Sequence, residues 1–163
     1  MNKTPKPNVP CRAVGIVIYQ KQILLMDRNN LGEKYLVFPG GGVEDGEVIE
    51  DAVLRELKEE TSANFSLKRL LYIHDYGSSQ QYFYLCQYLG GKIQLQPDSI
   101  EQIAMQNNKN DFYQPKWIPL KKIQTLLVYP LEIRDWLLAD LNNGFSTEVK
   151  KAKIKLNQIR QTL

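Results

Sequence analysis

At 163 residues, with 43% hydrophobic content and a net charge of +3, the chain is long enough to bury a sizeable core in one domain and needs no second one. No apolar run is long enough to span a membrane and the amino terminus lacks the hydrophobic stretch of a secretory signal, so a cytoplasmic protein without a membrane partner is expected. The basic excess is concentrated in residues 146–163, where Lys150, Lys151, Lys153, Lys155 and Arg160 stand against Glu148; residues 1–145 are close to neutral and carry no recognisable nucleic-acid-binding motif, so no specific nucleic-acid partner is expected.

In chain order, residues 11–19 and 23–26 read as two strands of a hairpin around a short polar turn at 20–22. Residues 27–34 read as a polar loop, and 35–38 as a third strand that Pro39 stops before a run of three glycines. From Val48 to Glu60 the chain has good helix formers, no internal Gly or Pro, and carboxylates in the first turn that oppose the positive end of the helix macrodipole. Residues 67–74 and 82–89 have the aromatic and aliphatic content of two more strands, and Gly90-Gly91 turns the chain. A further strand is expected at 92–96, a polar loop with a short helix at 99–105 within 97–114, a short strand at 116–118 and a short helix at 120–127. The segment 130–141 is a clearer helix, with Pro130 at its first turn, Ile133, Trp136, Leu137 and Leu141 on one face, and Asn143-Gly144 at its end.

Residues 1–145 are thus expected to form the main domain, and 146–163 a basic amphipathic helix. There Val149, Ala152, Leu156, Ile159 and Leu163 recur at spacings of three and four, so the helix should pack on the domain or across a homodimer. Cys11 and Cys86 lie far apart without Cys-x-x-Cys spacing and read as inert free thiols. His74 reads as a strand-end residue with no chemical role. The tyrosines Tyr72, Tyr76, Tyr82, Tyr84 and Tyr88 read as sheet packing, with at most one or two ligand contacts among them.

The chemistry is expected in the helix. On a wheel of about 100° per residue, Ile49, Ala52, Val53, Leu54 and Leu57 form one apolar arc, and Glu56 and Glu60 fall inside it, with Glu59 at its edge. A solvated, salt-bridged face is the competing interpretation, but such a face should not coincide with the apolar arc. Carboxylates that point inward repel one another and need a cation: Arg55, a divalent metal, or both. Clustered hard oxygen donors suit Mg²⁺ or Mn²⁺.

Written as Gly41-x5-Glu47-x7-Arg55-Glu56-Leu57-x-Glu59-Glu60-x-Ser62-Ala63, the stretch resembles the signature of the Nudix hydrolases, also called MutT-like proteins. It departs from that signature at Ser62, where the family usually has Gly. A helix-ending Gly permits a left-handed backbone, so either Ser62 adopts that conformation at a cost or Asn64 takes its place. The preceding strand pair and Phe38-Pro39-Gly40-Gly41-Gly42 also look like the family; downstream of the helix the likeness is architectural. The resemblance implies an α/β fold, an α/β/α sandwich around a mixed β-sheet, which the order of strands and helices also fits.

The resemblance further implies that Glu56, Glu59 and Glu60, with the carbonyl of Gly41, hold Mg²⁺, Mn²⁺ being the alternative. Arg55 would orient a carboxylate, and Glu47 would anchor the loop or Arg55, so the catalytic set is Glu56, Glu59, Arg55 and Glu47. The base that activates water is Glu56 or Glu59, or a downstream carboxylate such as Glu101 or Asp111. The implied activity is hydrolysis of a phosphorus-containing anhydride: cleavage of the diphosphate linkage in a small-molecule nucleotide, a nucleoside diphosphate joined to another moiety. A nucleoside triphosphate pyrophosphohydrolase is the alternative. A non-catalytic nucleotide-sensing module is a third possibility, against which the complete set of carboxylates argues.

Overall fold

The computed structural model describes residues 3–97, 99–107 and 112–153. Strand β1 (Cys11–Tyr19) sets the plan, because its side chains alternate between two buried layers, Ala13 and Val17 on one side and Val14 and Ile16 on the other. Gln20 and Lys21, both with positive φ, reverse the chain in two residues into β2 (Gln22–Asn30), a turn whose twist matches that of the flanking strands. β1 and β2 pair only beside that turn, at Ile18↔Ile23 and Tyr19↔Gln22. Beyond it each strand takes other partners. β1 pairs with the glycine strand β4 (Gly40–Gly42), and β2 with β3 (Glu33–Val37) and β7 (Phe112–Pro119). The divergence leaves a cleft between β4 and β7.

On its other flank β1 runs parallel to β6 (Gln80–Gly90), which pairs antiparallel with β5 (Asn64–Asp75). With β8 (Val128–Tyr129) and β9 (Lys150–Lys153) at the two ends, the order is β8-β3-β2-β1-β6-β5-β9. Helix α1 (Ile49–Thr61) covers one face: its fully buried Ile49, Val53 and Leu57 pack with Ala13, Val17, Leu24 and Tyr84, each of the three large side chains contributing about 1.5–3 kcal/mol. Gly15 permits this approach, since a Cβ there would lie 2.8 Å from Leu57 Cδ1. Helix α3 (Leu131–Asn143) covers the opposite face through Ile133 and Leu137, against Val14, Ile16, Leu25 and Phe83. A shorter helix, α2 (Ile100–Asn107), lies beside β7. The α/β arrangement of helices around a mixed sheet is the expected one. Cys11 and Cys86 are buried free thiols on the α1 side. Among the described residues no helix is long and apolar enough to cross a membrane.

Several local expectations differ from what forms. β2 continues to Asn30 and β7 begins at Phe112, so parts of both polar "loops" are strand. These segments alternate little in hydrophobicity, and their pairing to each other through Arg28↔Tyr113 and Asn29↔Phe112 decides their conformation. Residues 92–96 form no strand; the N–H groups of Gln94 and Gln96 instead donate to Thr61 O and Glu59 O, at 2.9 and 3.2 Å, supplying partners to carbonyls at the end of α1. The helix expected at 120–127 is a single 3-10 turn, Leu120–Lys122. In the tail, residues 150–153 are strand rather than helix, and the rest of the expected helix, 154–163, lies outside the described residues. The edge of β5 captures this segment in parallel, Tyr72↔Lys150 to Asp75↔Lys153, and the Lys150 ammonium bonds the buried Asp140 carboxylate of α3. Within 150–153 the helical spacing does not compete with an open ladder of backbone hydrogen bonds.

The end of α1 shows what the sequence leaves undecided at Ser62. Ser62 itself takes the left-handed conformation, φ 59° and ψ −2°, and its N–H donates to Lys58 O at 2.9 Å. Asn64 helps in another way, accepting at 2.9 Å from the Lys58 ammonium, which also donates to Ser62 O at 3.1 Å. A Cβ in this conformation costs roughly 1 kcal/mol relative to Gly. Ser62→Gly should therefore raise the thermal midpoint by about 2–4 °C; an unchanged or lower midpoint, read by calorimetry, would show that Ser62 is unstrained.

Candidate active site

The acidic helix meets the glycine strand at one guanidinium. Arg55 grips Glu47 with two bonds, Nε to Oε1 at 2.8 Å and an Nη2 donor to Oε2 at 3.0 Å, in the fork geometry that suits a carboxylate. Its other terminal nitrogen donates to Glu56 Oε1 at 2.8 Å and to Glu59 Oε2 at 3.3 Å, and Nη2 also reaches Gly42 O at 2.9 Å. Glu47 in turn accepts from the Glu44 N–H at 2.9 Å. The loop after β4 and three carboxylates are thus fastened to a single side chain. The hydrogen bond from Arg55 is the main reason the Glu47 carboxyl is held below the usual carboxylate range.

Glu56 is in a different position. Burial pushes its pKa up, more than the hydrogen bond and charge of Arg55 pull it down. Its carboxylate lies against Gly41 so closely that a Cβ at that position would fall 2.4 Å from Oε2. Glu60 is deeper, 4% exposed, and accepts from the Gly40 N–H at 2.7 Å and from the Tyr113 hydroxyl. Glu59, with its side chain 47% exposed, sits at the rim. The wheel's placement of Glu56 and Glu60 inward and Glu59 at the edge corresponds to these exposures.

A cleft of ≈ 350 Å³ opens in front of these groups, lined on one side by Gly40, Gly41, Glu56 and Glu60, and on the other by β2, β7 and α2. Four side chains that sequence reasoning passed over face it: Arg12, Arg28, Phe112 and Tyr113. Arg28 and Tyr113 lie in segments that read as polar loops, and only the β2–β7 pairing brings them together; the adjacent aromatics Phe112 and Tyr113 within a polar run were the available signal. Asp111 lies outside the described residues, as does the side chain of Glu101. His74 does not line the cleft; it is buried with Nε2 3.1 Å from Glu132 Oε2 of α3, and burial lowers its pKa.

Among the described residues no three Asp, Glu, His or Cys side chains stand together as a ready ligand set: Glu56 and Glu59 turn to Arg55, and Glu60 to Gly40 and Tyr113. The donor chemistry nonetheless fits a hard divalent cation. Glu47, Glu56, Glu59 and Glu60 outnumber Arg55, Arg12 and Arg28, the guanidiniums that stand with them around the cleft, which leaves an excess of negative charge, and burial of Glu56 makes that excess costly without a further cation. Gly41 leaves open the space that the Glu56 carboxylate fills.

Residues 9–137 match the family model described as the NUDIX domain. An ADP-ribose pyrophosphatase of Methanocaldococcus jannaschii is 44% identical over 61 residues, 37% of this chain and 36% of that one. An RNA pyrophosphohydrolase of Zymomonas mobilis is 29% identical over 136 residues, 71% of this chain and 83% of that one. The chain spans 36% of the first of these relatives and 22% of a further one from Caenorhabditis elegans. In fold it resembles the crystal structure of an ADP-ribose pyrophosphatase from Streptococcus suis, with a TM-score of 0.60 at 19% identity, covering 89% of this chain and 98% of that one.

The geometry makes Arg55 more than a point charge. Arg55→Lys keeps the charge but cannot hold Glu47 through two parallel bonds while reaching Glu56, Glu59 and Gly42 O. The variant should stay folded and lose at least about tenfold in kcat/KM at saturating Mg²⁺. Full activity in the variant would mean that charge alone suffices.

Proposed function

Because the chain belongs to the NUDIX family, we propose that it is a Mg²⁺-dependent pyrophosphohydrolase that cleaves the diphosphate linkage of a nucleoside diphosphate joined to another moiety, a substrate of the ADP-ribose type. The observation that carries this reading is the Arg55-centred cluster of Glu47, Glu56 and Glu59 beside a glycine strand, with Glu60 next to it in the same cleft wall. Two of the relatives named above are pyrophosphatases or pyrophosphohydrolases, which supports the reaction class.

Glu56, Glu59 and Glu60, with the Gly41 carbonyl, would hold the metal. Bound there, a divalent cation screens phosphate charge and makes a coordinated water more acidic. The chain's own residues do the rest. Arg55 fixes the Glu56 carboxylate through Oε1, which leaves its other oxygen to take the proton as water oxygen bonds to phosphorus. The bond from phosphorus to the bridging oxygen breaks, and the products are a nucleoside monophosphate and the phosphorylated remainder. Glu47 stays ionised and keeps Arg55 and the loop in register.

The test is a panel of ADP-ribose-type, dinucleoside polyphosphate and nucleoside triphosphate substrates with Mg²⁺, followed by release of monophosphate or inorganic phosphate. Glu60→Gln, which removes charge at nearly constant shape, should fold normally and lose roughly a hundredfold or more in turnover. Near-wild-type turnover in that variant would remove Glu60 from the site. Tight nucleotide binding with no turnover by the wild type would favour a sensing module.

A further inference from the structure

Residues 4–7 read Thr-Pro-Lys-Pro. Pro5 and Pro7 fix φ at their own positions and disfavour helical backbone at Thr4 and Lys6, so this short strap is stiff and extended before it touches anything. Little backbone freedom is left to lose when it docks. It docks beside the loop between β4 and α1, the segment that carries Glu47, and it grips that loop at both ends.

At the helix end, Thr4 N–H donates to Glu50 Oε1 at 2.8 Å in the first turn of α1, and the Tyr84 hydroxyl donates to the same oxygen at 2.9 Å. With the Tyr84 proton committed to Glu50, the Thr4 hydroxyl is the donor in its 2.6 Å bond to Tyr84 Oη. Burial of the Glu50 carboxyl opposes its ionisation, yet the bonds from Thr4 and Tyr84 keep its pKa below the usual carboxylate range. Tyr84 is buried in β6, so this anchor fastens the strap to the sheet as well as to the helix.

At the strand end, the Lys6 ammonium donates to Glu44 O at 3.0 Å. Its 3.8 Å approach to the fully exposed Asp45 carboxylate contributes little, because water screens a surface pair at that distance. The bond to Glu44 matters more, through what Glu44 itself holds. Its N–H donates to Glu47 Oε2 at 2.9 Å, and its carbonyl also accepts from the Glu47 N–H at 3.2 Å. Lys6 is thus one residue removed from the carboxylate that Arg55 grips, although it does not line the cleft. Its charge reaches the same group: the Arg55 hydrogen bond is the main cause of the lowered Glu47 pKa, and Lys6 acts in the same direction.

We propose that Lys6 is a positioning residue of the active site, held over the loop by the Thr4–Glu50–Tyr84 anchor and acting through Glu44 on the Glu47–Arg55 pair. The proposal rests on the pyrophosphohydrolase reading for the reaction it tunes. Lys6→Met keeps the stem and loses the ammonium, and should speed hydrogen exchange across residues 43–48. It should also lower kcat about fivefold at saturating Mg²⁺ while leaving KM within about twofold. Lys6→Arg, which restores a charged donor, should recover most of that loss. Glu47→Gln alone should lower kcat, and adding Lys6→Met to it should cost nothing further, since both act on one pair. A lower thermal midpoint in Lys6→Met with wild-type kcat would make the strap a structural brace only and overturn the proposal. Full additivity with Glu47→Gln, or no recovery in Lys6→Arg, would overturn it as well. A wild type that hydrolyses no nucleotide would sink the pyrophosphohydrolase reading instead; the exchange measurement then decides whether Lys6 holds the loop, and unchanged exchange in Lys6→Met overturns the proposal in either case.

Discussion

The site depends on one cation shared among too many anions. Arg55 bonds Glu47, Glu56 and Glu59 at once, and the order of the surrounding backbone follows from that sharing: the loop after β4 is tied through Glu47 and Gly42 O, and the helix face through Glu56 and Glu59. A guanidinium can do this because its donors lie in a rigid plane and leave in several directions. It cannot neutralise all the carboxylates it orders. The residual negative charge, part of it on a carboxyl whose burial already disfavours ionisation, is the physical demand for a divalent cation.

The fold supplies the place where this demand can be met by a ligand from solution. β1 and β2 separate after two paired positions, and the sheet is continued on one side by β4 and on the other by β7. A regular sheet would have filled the gap with ladder hydrogen bonds. Here the glycine strand admits the helix's carboxylates from one side, because Gly41 has no Cβ to displace Glu56, while Arg28 and Tyr113 close the other. Tyr113 connects the two sides through its bond to Glu60.

The distinction between what was legible in the sequence and what was not follows sequence separation. The apolar stripe of α1, the inward position of Glu56 and Glu60 and the anchoring of Glu47 arise within a few turns of one helix and its preceding loop, so periodicity and spacing are enough to place them. Arg28 and Tyr113 become neighbours only through a strand pair whose residues are polar enough to look like loops. The carboxyl-terminal segment illustrates the same limit from the other direction: Val149 and Ala152 fit a helical stripe, yet Lys150 to Lys153 join the open edge of β5, a partner that no local pattern reveals. At Ser62 the residue type was informative and the outcome was not, because the strain it accepts is offset by Lys58 bridging to Asn64.

The central claim is that the carboxylates around Arg55 carry a charge excess that a divalent cation neutralises. Titration of the metal-free protein with Mn²⁺, followed by electron paramagnetic resonance of free and bound ion, reads this directly and without substrate. Bound Mn²⁺ in the wild type, displaced by Mg²⁺ and largely lost in Glu56→Gln, is the predicted result; Mn²⁺ that binds the variant as well as the wild type, or binds neither, would contradict it.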